Sequence, residues 1–326
     1  MYTAVIVGCG TIAGLYDDTG TSDSIVSHAA GYHNHDMFDL SGCVDSNKKT
    51  VERFAELQKV IHFDTNLVTV LDAVQPDIIS ITTPDDTHYA IVSLILGSVD
   101  VSPKLIFLEK PACQNSRELE SLLEISDSAN IPIVVNQSRR FHSLYAAVKE
   151  KYEAGRLGEL LGIDCSYYGG WVHSGVHLVD IIRYLFSIEI VCPNIIERIA
   201  SRNTDDPTLT IKAKLETNNG SVLFQGWDDK HYQIFDLEFR FSTGRLIVRN
   251  FEQEYIWEAC IENSVGERVL VPKSMELSMN GKSPMMRAMD ILSSYLKTGD
   301  IETLNGYLLR DVAASLRSIW QVNSCT

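Results

Sequence analysis

The chain has 326 residues, 45% of them hydrophobic, enough for two ordinary domains with cores of their own. Its 43 acidic against 28 basic side chains leave a formal net charge of -15, which argues against a nucleic-acid partner and against an anionic membrane surface. No apolar run approaches the roughly 20 residues that span a bilayer, no signal-peptide pattern opens the chain, and seven dispersed cysteines without a CxxC pair read as the reduced thiols of a cytoplasmic protein.

In chain order, short β-branched runs at 3–7, 40–44, 77–82, 104–108 and 132–135 alternate with helical patterns at 48–58, 87–96 and 116–129. Strands separated by helices of this length imply right-handed crossovers and a parallel sheet covered on both faces. The rhythm then changes. Residues 141–154 and 175–186 read as amphipathic helices, and strand-like runs follow at 195–200, 208–216, 221–227, 234–241, 245–249 and 254–257. Turn signals at 218–220 and 242–244 suit a mostly antiparallel sheet with helices on one face. The tail returns to helix at 284–296 and 304–320, and the longest polar loop, 17–24, reads as a surface excursion. The expected architecture is α/β: a doubly wound parallel domain over 1–136, then an α+β domain over 137–326 whose last helix is free to pack back on the first.

Gly8-Cys9-Gly10-Thr11-Ile12-Ala13-Gly14 follows the first strand directly. Gly8 allows a tight turn, Gly10 lets backbone approach a pyrophosphate, and Ala13 takes the position where a small residue lets helix pack on strand. A helix starting there offers free N–H groups and a positive dipole end to phosphates. Asp45 ends the next strand, where a carboxylate accepts from ribose hydroxyls and repels a 2′-phosphate, favouring NAD with NADP as the alternative. The motif-to-Asp45 spacing is long, which the 17–27 excursion explains. The other reading has the glycines making only a turn and Asp45 capping the next helix.

Glu109-Lys110-Pro111 ends the strand at 104–108, on the functional edge of an open α/β sheet. A lysine there can bind a substrate hydroxyl and exchange its proton; otherwise it is a surface lysine at a strand end. In His173-Ser174-Gly175-Val176-His177-Leu178-Val179-Asp180, a Ser174 cap would put His177 and Asp180 about one turn apart on one helix face, with Asp180 orienting the ring. The alternative is a structural histidine. His28, His33 and His35 match no metal template and are expected on a helix surface or in a loop, so no metal is expected. Arg139, Arg140, His142, Tyr168 and Trp171 are candidates for the substrate side, since aromatics stack on sugars and arginines pair with phosphate or carboxylate. The arginines could equally meet cofactor or a neighbouring carboxylate.

Together these segments resemble the Gfo/Idh/MocA family of oxidoreductases over nearly the whole chain. The resemblance rests on the residues from Val7 to Ala13, on Asp45, on Thr82-Thr83-Pro84 with His88, on Glu109-Lys110-Pro111, on Asn136 with Arg139-Arg140-Phe141, and on His177-Leu178-Val179-Asp180. It implies an N-terminal Rossmann domain, a C-terminal domain with an open sheet that makes dimer or tetramer contacts, Lys110 as catalytic lysine and His177 as second acid/base group. Gly8, Gly10, Thr11, Ile12, Ala13, Asp45, Thr82, Thr83, Pro84, His88, Glu109 and Lys110 are then expected at the cofactor, and Asn136, Arg140, Tyr168, Trp171 and Asp180 at the substrate. His173 departs from the pattern, standing where many members carry Asp; it replaces that residue or only lines the pocket.

The implied activity is hydride transfer between nicotinamide and a secondary alcohol or ketone of a sugar, polyol or sugar-nucleotide, with Lys110 and His177 handling the proton. Two alternatives stay open: a non-catalytic NAD-binding regulatory or scaffold protein on the same fold, and an enzyme that uses bound NAD transiently for hydrolysis or epimerisation.

Overall fold

The computed structural model describes residues 1–15, 25–98, 100–191, 193–200, 209–217, 220–228, 230, 232–275, 277 and 281–324. The expected excursion at 17–24 and the Asn218-Asn219 part of a turn signal lie outside them. The chain forms two compact units, Met1–Ser143 with Asn280–Ala314, and Leu144–Met279 with Ser315–Thr326. The first unit therefore runs to residue 143 and includes 280–314, beside an expected boundary at 136/137 with the last helix free to pack back on the first domain.

The first unit is built on β1 (Tyr2–Val7), β2 (Phe38–Val44), β3 (His62–Asp64), β4 (Ile78–Ile81), β5 (Leu105–Leu108) and β6 (Ile133–Val135), all parallel, in the order β3-β2-β1-β4-β5-β6. Every residue of β4, β5 and β6 is buried, as a sheet covered on both faces demands. The helices are α1 (His28–His33), α2 (Lys48–Gln58), α3 (Leu67–Val74), α4 (His88–Ser98) and α5 (Ser116–Ala129). Asn47, Asn66 and Asn115 cap α2, α3 and α5 through their side-chain oxygens. The short pieces α1, β3 and α3 carry too little pattern of their own to be read from sequence.

The C-terminal α8 (Pro284–Thr298), with Ser283 as cap and Pro284 in the first turn, belongs to this unit. Its Met285, Ala288, Met289 and Leu292 join Tyr32, Phe38 and Phe141 in one core. Tyr307 stacks on Phe141 at 4.5 Å, and its carbonyl accepts from Val135 N–H. The last helix, α9 (Leu309–Ser324), contributes its start to the first unit and its end to the second.

The second unit holds α6 (Ser143–Glu153), β7 (Leu160–Tyr168), α7 (Val176–Phe186), β8 (Asn194–Ile199), β9 (Thr210–Thr217), β10 (Gly220–Trp227), β11 (Phe235–Phe241), β12 (Gly244–Arg249), β13 (Glu254–Glu262) and β14 (Arg268–Lys273). The sheet order is β14-β13-β12-β11-β7-β10-β9-β8, antiparallel except for the β7–β10 pair. In β11 the inward Phe235, Leu237, Phe239 and Phe241 alternate with half-exposed polar residues. Phe186 of α7 and Tyr152 of α6 cover Phe241, so helices line one face. Central β7 escapes a sequence reading because Gly162 and Asp164 disfavour strands. Gly162 lets the strands lie close: an added Cβ would sit 3.1 Å from Ser221 O of neighbouring β10, which would have to give by a few tenths of an ångström.

Candidate active site

In a parallel sheet, ligands collect beyond the carboxyl ends of the strands where the strand order reverses. Here that point lies between β1 and β4, and the loops around it carry Gly8–Ala13, Asp45, Thr82–Pro84, Glu109–Pro111 and Asn136. Gly8 has φ +94°, and a Cβ on it would stand 2.6 Å from Thr83 N. Only glycine lets the β1 and β4 ends approach this closely. Thr82 fastens the contact by donating its hydroxyl to Gly8 O at 2.6 Å. At Gly10 a Cβ would meet none of the described residues within 4 Å, which leaves room for a pyrophosphate to lie close.

The helix expected directly after the motif is divided. Gly14 N–H donates to Gly10 O, and the ladder continues on residues distant in sequence, with His28 N–H on Ile12 O (3.1 Å) and Ala29 N–H on Ala13 O (2.8 Å). The first donors of α1 are thus committed to the turn. The N–H groups of Thr11, Ile12 and Ala13 have no acceptor among the described residues, the donor set a phosphate fits. Ala13 itself is fully buried. Asp45 accepts from Cys9 N–H at 2.9 Å and Asn47 N–H at 2.8 Å, locking the glycine turn to the end of β2. An ionised carboxylate has roughly four lone-pair sites, so acceptor capacity remains for a ribose. The cap of α2 is Asn47, not Asp45.

Beneath Lys110 lies a buried polar chain. Tyr32 Oη is 2.6 Å from Ser80 Oγ, Ser80 Oγ is 3.0 Å from His28 Nδ1, and His28 Nε2 is 3.0 Å from Glu109 Oε1. Asn136 Nδ2 donates to the same Oε1 at 2.6 Å, and Lys110 N–H donates to Glu109 Oε2 at 3.2 Å. The proton order that satisfies every atom runs from Tyr32 to Ser80, from Ser80 to Nδ1, and from Nε2–H to the carboxylate. Burial pushes the Tyr32 phenol well up, so it stays protonated as a donor. Burial also works to raise Glu109, but the His28 hydrogen bond, the Asn136 amide and the Lys110 charge outweigh it and hold the carboxyl below its usual range.

Several expectations need correction. His28 is fully buried in this chain rather than on a surface; His33 is exposed, and His35 packs on Asp290 and Ser293. Among the described residues no three His, Cys, Asp or Glu side chains could hold a metal. His88 bridges two loops, one ring nitrogen 2.8 Å from Pro111 O and the other 2.9 Å from Thr83 O, so both nitrogens are committed to the protein. Arg140 is buried and directs its guanidinium to the carbonyls of Gly306 and Asp311, which ties the 306–311 segment down and removes it from the substrate. Trp171 is also fully buried, edge-on to Phe224 and Tyr167, a core position with no face for a sugar. Asn136 works chiefly through Glu109. Arg139 and His142 lie half-buried on and just after the turn Ser138–Phe141.

In the second unit, Ser174 caps nothing. Trp171–Gly175 form a π-turn, with Gly175 N–H on Gly170 O, that runs straight into α7. Such turns recur at functional sites. His173 lies half-buried on this turn, His177 half-buried in the first turn of α7, and Asp180 buried one turn further. Tyr168 ends β7 against the ring of Phe251.

Sequence reasoning missed His28, separated from Glu109 by most of the sheet, and Gln137. The Gln137 side chain is buried directly after Asn136, and neither amide atom has a hydrogen-bond partner among the described residues. Its position after the β6 run was the only available signal.

Residues 3–137 match the family described as oxidoreductase family, NAD-binding Rossmann fold. The chain is 26% identical over 150 residues to the uncharacterized oxidoreductase YhhX of Escherichia coli (41% of this chain, 42% of YhhX). It is 28% identical over 168 residues to scyllo-inositol 2-dehydrogenase (NAD(+)) of Bacillus subtilis, covering 45% and 46% of the two chains. It thus spans less than half the length of these relatives. In fold, it superposes on KijD10, a 3-ketoreductase from Actinomadura kijaniata in complex with TDP-benzene and NADP, with TM-score 0.73, 15% identity and coverage of 98% and 96%. Over residues 3–137 the chain is thus similar to the NAD-binding Rossmann domain of that oxidoreductase family.

Proposed function

We propose that this chain is an NAD-dependent dehydrogenase acting on a secondary alcohol, or the corresponding ketone, of a cyclic polyol or sugar. The observation that carries the reading is Glu109, held by His28 and Asn136 directly before Lys110, at the edge where the glycine turn leaves room for a dinucleotide. Nicotinamide, when bound, supplies the hydride chemistry. Thr11, Ile12 and Ala13 N–H groups hold phosphate, Asp45 selects the unphosphorylated ribose, and Gln137 offers its amide to a bound ligand. Lys110 Nζ takes the hydroxyl proton, and His177 serves as the second acid/base group, with Asp180 setting its ring and His173 and Tyr168 at the substrate. The inositol dehydrogenase among the relatives supports a polyhydroxylated ring as substrate.

The thiols of Cys9, Cys43, Cys113, Cys165 and Cys260 are free, which supports a reducing compartment such as the cytoplasm. Among the described residues no helix is long and apolar enough to cross a membrane. Homo-oligomerisation through the eight-stranded sheet is supported by Trp227, Tyr255, Ile256 and Leu270, large apolar side chains exposed on its strands. One observation favours a second reading, an NAD-binding regulatory protein without turnover: His173 stands where many family members carry Asp. NADH formation from NAD with a panel of cyclitols and sugars separates the two, since the regulatory reading requires binding and no absorbance change.

A further inference from the structure

The turn joining β12 to β13 follows an unusual path. Asn250, Phe251 and Glu252 have φ of 53°, 53° and 64°, three consecutive left-handed residues with no glycine among them. L-residues enter this region singly, and mostly as Asn or Asp. A bulky aromatic in the middle of such a run persists only where surrounding contacts impose it, and imposed strain of this kind clusters at ligand sites.

The contacts come from three other elements. Asn250 N–H donates to Asp236 Oδ1 of β11 at 3.0 Å, and Phe251 N–H to Phe235 O at 3.4 Å. Tyr145 of α6 donates its hydroxyl to Glu252 Oε1 at 2.8 Å. The Phe251 ring stacks on Phe235 (6.1 Å, 25°) and meets Tyr168 of β7 edge to face (6.0 Å, 71°). Phe235 is buried and in turn meets the His177 ring edge to face at 6.4 Å, 81°. Phe251 and Tyr168 remain half-exposed. A plain hairpin needs none of this; two residues such as Asn-Gly would connect the strands without strain.

We propose that Phe251, presented by this left-handed turn, forms with Tyr168 an aromatic wall beside His177 that selects ring-shaped polyols over open-chain ones. The chemistry follows from the partner: a cyclitol or pyranose presents several C–H bonds on one face, which packs flat on an aromatic ring, while its hydroxyls point to the rim. An acyclic polyol has no such rigid face and gains little. Phe235 backs the wall and fixes its angle to the His177 ring. Phe251 is a specificity residue and takes no proton.

The proposal rests on the dehydrogenase reading, and its test separates the two. With NAD, scyllo-inositol and the open-chain sorbitol are compared in wild type, Phe251→Ala and Phe251→Tyr. Removing the ring is expected to raise KM for scyllo-inositol about tenfold with kcat within about twofold, leave sorbitol unchanged, and be rescued by Tyr. Equal effects on both polyols, or an unchanged scyllo-inositol KM, overturn it. If wild type oxidises neither polyol, the dehydrogenase reading fails for them. The wall is then judged by saturation-transfer NMR on the NAD-loaded protein. Transfer from aromatic protons to scyllo-inositol C–H protons, lost in Phe251→Ala and kept in Phe251→Tyr, upholds it. Absence of transfer in wild type, or its persistence in Phe251→Ala, overturns it. Phe251→Leu, which keeps apolar volume without a ring, serves in both measurements if the alanine variant does not fold.

Discussion

His28 Nε2 lies 3.0 Å from Glu109 Oε1, although 81 positions separate the two residues in the chain. The pair joins the start of α1 to the loop that carries Lys110. It helps hold a partly buried carboxyl below its usual range although desolvation acts to raise it.

Replacing His28 with Leu leaves a largely desolvated carboxylate short of a donor. The expected cost is about 3 kcal/mol of unfolding free energy. Chemical denaturation of the full chain checks it; a loss within experimental scatter of zero would show that the ring contributes only volume. His28→Gln, which can still donate, is expected to recover part of the loss.

The same pair gives the protein an acid-side signature. Because the Glu109 carboxyl is held below its ordinary value in the fold, it binds a proton more readily unfolded than folded. Its stabilisation is therefore complete above the ordinary glutamate value of about 4.3 and disappears as pH falls through the lower folded value. Melting temperatures measured from neutral pH downward should converge for wild type and Glu109→Gln at the acid end. Parallel curves would mean that Glu109 titrates alike in both states.

Asp45 combines two duties. Its oxygens hold Cys9 and Asn47 N–H groups, and in the proposed function its charge opposes a 2′-phosphate. In Asp45→Ser the repulsion disappears while an acceptor remains. The ratio of NADP to NAD in kcat/KM should rise by about tenfold or more. An unaltered ratio would assign Asp45 to the turn alone.

Gln137 offers an unusual contrast between stability and binding. Both of its buried amide atoms lack partners among the described residues, a cost to the ligand-free fold. Gln137→Leu is expected to hold or raise the melting temperature without ligand by removing that penalty, while weakening binding of NADH or substrate. A drop in melting temperature with ligand affinity intact would give the amide a structural partner instead.

The parallel sheet is legible because its inner strands are buried on both faces and read as unbroken apolar runs. The glycine turn, Asp45 and Glu109-Lys110-Pro111 are legible because each ends such a run. Residue type misleads where tertiary burial decides. Arg140 and Trp171 have the chemistry of sugar contacts, yet one serves two backbone carbonyls and the other fills the core. The role of His28 depends on its N–H continuing the turn after the glycine motif, on Ile12 O, which no local pattern announces. Phe251 depends on a backbone conformation that its own side chain disfavours, so only the contacts of Asp236, Phe235, Tyr145 and Tyr168 reveal it.

The dehydrogenase assignment is tested most directly at Lys110, by following NADH absorbance with a cyclitol in wild type and Lys110→Ala while measuring NADH binding separately by fluorescence. Loss of proton exchange should lower kcat by about 10²–10⁴-fold and leave the NADH dissociation constant within a few-fold of wild type. Turnover in Lys110→Ala equal to that of wild type would contradict the role assigned to this lysine and the mechanism built on it.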